Sequence, residues 1–215
     1  MAEAQAIADP RLDEGTGAVD WRGVGIYLAI TFGVTWTVEI AALAAGLRID
    51  SAAATALLAA VMFVPALSAF VVRRFITREG FASAGLRRGP WPPYLAVWLG
   101  IPLLFVVVYA LTTALGAGRL DLSGEAGMAQ LAEMAGPGAM DQLPPPGTLM
   151  LVTLIASLSV GWLITSVATF GEEFGWTGYL LPKLIPLGRW RAALLYGAIW
   201  GAWHAPIIVA GYNYP

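Results

Sequence analysis

Three side chains in this sequence could share one piece of chemistry: the adjacent carboxylates Glu172 and Glu173, and the single imidazole, His204. A carboxylate held beside an imidazole away from bulk water is the pairing that general-base activation of water requires. The base takes one proton and the imidazole holds or donates the other. Hydrolysis is the simplest reaction open to such a set. Consecutive residues on a helix point about 100° apart, so both glutamates cannot face one small site, and one should act while its neighbour supports. The plainer alternative has the pair marking a helix end that faces water. A fourth ionisable group in an apolar stretch, Glu39, reads as a structural carboxylate bonded to Thr35 or to a neighbouring helix, and it stays outside the site. With no cysteine there is no thiolate nucleophile, no disulfide framework and no Cys-ligated zinc.

The elements that must position these groups are apolar. Charged residues make up 12% of the chain and hydrophobic ones 58%, with a mean hydropathy of +0.71, where soluble domains carry about 25% charge. Nearly uncharged runs at Val24 to Leu47, Ala52 to Val72, Pro93 to Gly116, Thr148 to Phe170 and Ala192 to Tyr212 are each long enough to cross a hydrocarbon core of about 30 Å. The fold expected is therefore all-α, a polytopic transmembrane bundle of at least five spans. The 117–147 stretch, rich in Gly and Pro and carrying Asp121, Glu125, Glu133 and Asp141, reads as an external loop. The first twenty residues, with Glu3, Asp9, Asp13 and Glu14, lack the basic-then-apolar pattern of a cleavable signal.

Lys and Arg decide orientation, because cytoplasmic loops attract them. With the N-terminus inside, ten of the twelve basic residues are cytoplasmic and only Arg48 and Arg119 lie outside. Residues 1–23 then form a cytoplasmic segment and 24–215 the membrane domain. The basic residues are scattered, which excludes a nucleic-acid surface.

Depth brings the candidates together. If the fourth helix continues through Trp176 and Tyr179 to Lys183, Glu172 and Glu173 lie about 15 Å from the cytoplasmic boundary, and His204 lies about 20 Å from it on the returning helix. Around His204, the Gly197-xxx-Gly201 spacing permits close helix approach, Trp200 sits one turn earlier on the same face, and Pro206 should bend the helix just beyond.

The run Glu172-Glu173-Phe174-Gly175-Trp176-Thr177-Gly178-Tyr179-Leu180, followed by Trp200-Gly201-Ala202-Trp203-His204-Ala205-Pro206, resembles the two motifs of the CPBP family, the CAAX proteases and bacteriocin-processing enzymes also called the Abi family. Phe63 to Arg87 is similar to that family's second helix and basic loop. The resemblance implies an intramembrane endopeptidase, with Glu172 activating the water, Glu173 supporting it and His204 in the same centre. Members have been described as metalloproteases, which implies a divalent metal such as zinc with Glu172 and His204 as ligands, although one His and one Glu are too few by themselves. No other cofactor-binding residue is expected. Thr177 stands where the family carries Arg, so the ion pair that steadies the glutamates is missing. The family also supplies a further His and an Asn or Asp from a later helix, so the domain reads as incomplete at its C-terminus.

Substrates implied are membrane peptides or lipidated proteins within a lipid bilayer, and an Ala-, Gly- and Arg-rich composition suits a bacterial inner membrane. Two other classes fit less well. A non-catalytic scaffold or immunity-type protein would keep the fold without the chemistry, and Thr177 favours it. A transporter subunit would use the same Glu and His as an ion path, but no repeated half or matched pair of broken helices supports one.

Overall fold

The computed structural model describes residues 17–125, 127–129, 132 and 143–212. Glu3, Asp9, Arg11, Asp13, Glu14, Glu133, Asp141 and Pro215 lie outside the described residues. Among those described, every regular element is helical.

Helix α1 (Trp21–Ala44) begins where Asp20 accepts a hydrogen bond from the Gly23 amide, 2.9 Å. Such a side-chain cap satisfies one of the donors a helix start leaves free. After a turn at Gly46, where φ is +89°, Ser51 caps α2 (Ala52–Val61) in the same way. Helix α3 (Val64–Val71) follows and runs into a π turn at Val72–Ile76. Further along lie α4 (Pro92–Ala114) and α5 (Pro146–Ala156), the latter continued by a π turn at Ser157–Gly161. Then come α6 (Trp162–Gly175), a third π turn at Trp176–Leu180, and α7 (Leu181–Leu184). Gly188, at φ +88°, reverses the chain into α8 (Arg189–Trp203), and α9 (Ala205–Val209) closes the described chain.

Among the described residues, four helical stretches are long and apolar enough to cross a membrane: Trp21–Ala44, Ala52–Ile76, Pro92–Ala114 and Pro146–Leu187. The fourth extends well past the Phe170 boundary suggested by hydropathy, so Glu172 and Glu173 sit inside a helix rather than at its end. The fifth apolar stretch is helical but divided at His204 into α8 and α9. Pro206 explains the break: its ring clashes with the carbonyl four residues back and it offers no amide hydrogen. The chain therefore leaves the helix at His204 itself, two residues earlier than the bend expected beyond it.

The described residues form two compact units. One comprises those up to Leu86 together with those from Trp162 on, and the other those of Arg87–Gly161. The first holds the core, in which Val24, Tyr27, Ala69, Val72, Trp176, Tyr179, Leu180 and Leu184 are buried together. Tyr27 meets Trp176 edge-on, with ring centroids 5.8 Å apart, and lies 4.9 Å from Tyr179. Helix α3 packs along α6, and glycine makes this possible. A Cβ on Gly171 would stand 2.7 Å from the Phe63 ring, and one on Gly175 would overlap the Pro65 backbone. Small residues at i and i+4 let two helices approach this closely. By contrast, nothing lies within 4 Å of a Cβ on Gly197 or Gly201. The expected close approach at Gly197-xxx-Gly201 is not made, because that edge of α8 faces outward.

In the second unit α4 buries none of its residues, and Leu99, Leu103, Phe105, Val106 and Leu111 are exposed around it. A helix apolar all round belongs in lipid. Within that unit the Trp98 indole donates to the Leu158 carbonyl at 3.2 Å.

Candidate active site

The helix break builds half of the site. In an unbroken helix the His204 amide would donate to the Trp200 carbonyl. Here it turns to Gly201 instead, at 3.2 Å. The freed Trp200 carbonyl takes His204 Nδ1 at 2.9 Å. A carbonyl only accepts, so Nδ1 carries a proton, and in the neutral ring Nε2 holds the lone pair. The imidazole is further held edge-on by Trp203 and Trp200, with centroids 4.7 and 5.3 Å away. Trp203 is fixed in turn: its indole donates to Thr35 Oγ1 at 3.0 Å, and its carbonyl receives the Trp36 indole at 3.1 Å.

Helix α6 supplies the other half. Glu172 is buried and Glu173 is exposed, so the neighbouring carboxylates occupy different faces. Glu172 Oε1 accepts a hydrogen bond from Trp200 Nε1 at 2.6 Å, a short charge-assisted contact. Trp200 thus holds Glu172 through its side chain and His204 through its main chain. No direct hydrogen bond or ion pair joins Glu172 to His204 among the described residues.

Glu173 accepts a hydrogen bond from the Thr177 hydroxyl, one turn on, and that hydroxyl lies 3.4 Å from Tyr196 Oη. The position that lacks a cation therefore still steadies the carboxylate, with a neutral donor in place of an ion pair. A cation reaches the motif helix from elsewhere. Arg73, on the π turn after α3, is buried and donates to the Gly178 carbonyl at 2.8 Å, to Gly80 at 2.9 Å and to Ser83 at 3.0 Å. Beside it Lys183 donates to Glu79 at 2.5 Å. These contacts pin the π turn that follows the glutamates. π turns inside α-helices recur at functional sites.

Glu39 differs from expectation. Thr35 is occupied by Trp203, and Glu39 Oε2 is buried without a hydrogen-bond partner. For a metal, Glu172 and His204 fall short of the three protein ligands a catalytic zinc takes, and the described residues hold no group of three His, Cys, Asp or Glu placed to bind one. The residues present do not make a zinc centre by themselves.

Residues 154–214 match the family model for type II CAAX prenyl endopeptidases, Rce1-like. That stretch, a little over a quarter of the chain, is similar to the CAAX-protease family. The match takes in α6, the π turn, α8 and α9, hence all of Glu172, Glu173, Trp200 and His204, while the similarity from Phe63 to Arg87 lies upstream of it. No curated protein and no solved structure matches the chain. Within the matched stretch, the paired glutamates sit on the long apolar helix and the histidine at the break of the following one. Sequence reasoning named those residues. It placed Trp200 on the histidine's face but missed its bond to Glu172, which depends on the indole crossing between two helices.

Proposed function

We propose that this protein is a membrane-embedded endopeptidase that hydrolyses a peptide bond with water activated by Glu172. The observation that supports this most is the Trp200 bridge, which sets a buried carboxylate and an imidazole of fixed tautomer on either side of one residue. In the proposed step Glu172 takes a proton from water as the oxygen attacks the peptide carbonyl carbon, while His204 Nε2 accepts a hydrogen bond from the remaining O–H. The C–N bond then breaks and Glu172 returns the proton to the leaving nitrogen. A new carboxylic acid and an amine result, which in water become a carboxylate and an ammonium group. Glu173, held by the Thr177 hydroxyl one turn on, is the supporting carboxylate. The step is written with the groups present, since Glu172 and His204 fall short of the three protein ligands a catalytic zinc takes.

The substrate proposed is a membrane peptide or a lipidated protein, reached from within the bilayer of a bacterial inner membrane with the N-terminus in the cytoplasm. Removing a general base costs about 10²–10⁴-fold in rate. In proteoliposomes, Glu172→Gln and His204→Ala should each lower cleavage of a CAAX-type or hydrophobic peptide by that order. Cleavage undiminished in either variant would remove the assignment. If wild-type protein cleaves no such peptide although folded, the scaffold or immunity-type alternative gains.

A further inference from the structure

The hydrolytic step leaves one need unmet. Negative charge gathers on the peptide carbonyl oxygen as water adds, and a preorganised hydrogen-bond donor aimed at that oxygen is among the largest contributors to rate. The side-chain donors around Glu172 and His204 are already committed. The Trp200 indole goes to Glu172 and His204 Nδ1 to the Trp200 carbonyl. In the neutral ring Nε2 accepts and cannot donate. The Trp203 indole goes to Thr35, and the Thr177 hydroxyl goes to Glu173.

Among the described residues on this face, one hydroxyl remains. Tyr196, half-buried on α8, lies 3.4 Å from Thr177 Oγ1. Because a carboxylate only accepts, the Thr177 proton is turned toward Glu173, and Tyr196 must be the donor in that contact. At 3.4 Å the contact is longer than the about 2.5–3.0 Å of an ordinary O–H···O bond. The Tyr196 O–H is thus weakly engaged and can turn to a better acceptor.

Its position suits the task. Helices α6 and α8 run antiparallel here, with Glu172 opposite Trp200 and Thr177 opposite Tyr196. Tyr196, Trp200 and His204 recur every four residues, so they share one stripe of α8 at steps of about 6 Å. Trp200 is 40% exposed, and Glu173 and Thr177 are exposed as well, so an incoming chain can reach this face. Glu172 stands at the level of Trp200, with the imidazole one turn to one side and the phenol one turn to the other. One peptide carbonyl fits that spacing. An attacking oxygen about 3–3.5 Å from the carbon, a C=O bond of about 1.2 Å and a donor about 2.7–3.1 Å beyond it together span about 6 Å once the attack angle is included.

We propose that Tyr196 is a further catalytic residue, whose Oη–H donates to the scissile carbonyl oxygen while Glu172 draws the proton from water. Tyr196 keeps its proton throughout. The carbonyl oxygen gathers charge in the tetrahedral adduct and gives it back when the C–N bond breaks. This role rests on the hydrolysis proposed above.

Tyr196→Phe keeps the ring and removes one oxygen. Losing one such donor costs about 10²–10³-fold in rate, so with the full chain in proteoliposomes the variant should lower kcat for a hydrophobic or CAAX-type peptide by that factor, with KM changed less than about threefold. A phosphinic pseudopeptide of the same sequence carries a tetrahedral, anionic centre in place of the scissile carbonyl. It should bind the variant about 10²-fold more weakly than wild type, while the parent peptide binds both alike. Undiminished kcat, or equal weakening of peptide and phosphinate, would overturn the assignment to Tyr196 and leave the Glu172 reading standing. If wild-type protein neither cleaves the peptide nor binds the phosphinate, the protease reading fails and takes this assignment with it.

Discussion

Trp200 carries two bonds: its carbonyl is free for His204 because the His204 amide has turned to Gly201, and its indole crosses to Glu172. Replacing Trp200 by Phe keeps the ring and the carbonyl while removing the N–H. A hydrogen bond to a charged group contributes about 1.5–3 kcal/mol, so Trp200→Phe should lower kcat by roughly tenfold to a hundredfold with KM little changed. Steady-state kinetics check this, and a change confined to KM would mean that Trp200 serves substrate binding instead. Glu172, Glu173 and His204 were legible in the sequence because an ionisable group in an apolar run is costly and so rarely idle. The Trp200 bridge was not legible, since one half follows from where the helix breaks and the other from how two helices pack, not from residue type. Thr177 teaches the same lesson: as a letter it is a lost arginine, but as a side chain it is a donor to Glu173.

Two Gly-xxx-Gly pairs occur among the site helices, and spacing alone cannot rank them. Gly171 and Gly175 lie on the face of α6 that meets α3, whereas Gly197 and Gly201 lie on an open edge of α8. Which pair matters depends on the helix face that is buried, and the weak amphipathicity of apolar helices hides that face from the sequence. Overpacking a tight contact costs about 1–3 kcal/mol or more. Gly175→Ala should therefore lower the melting temperature in detergent by several degrees, while Gly201→Ala should leave it unchanged or raise it, as alanine is the better helix former by about 1 kcal/mol. Equal effects from the two substitutions would show that the α3–α6 crossing is not the tight one. The π turn at Trp176–Leu180 had no signal in the sequence either. It exists in a context of tertiary contacts, with Arg73 holding the Gly178 carbonyl.

At the scale of the molecule, hydropathy marked the apolar stretches well because the bilayer imposes length and polarity on whole segments at once. It misjudged the end of the fourth, since two glutamates in a row resemble a boundary although the helix runs on to Leu187. The basic residues predict a topology that a chain without cysteine makes simple to test. In intact cells Asp50→Cys should react with a membrane-impermeant maleimide, and Arg88→Cys should react only after permeabilisation, with the reverse pattern inverting the protein. The claim on which everything functional depends is that Glu172 activates water and does not attack the peptide itself. Single-turnover cleavage by the reconstituted protein in H₂¹⁸O measures this directly: the account predicts one ¹⁸O in the new product carboxylate from the first turnover, whereas a first-turnover product carrying only ¹⁶O, with the label appearing later in Glu172, would contradict it.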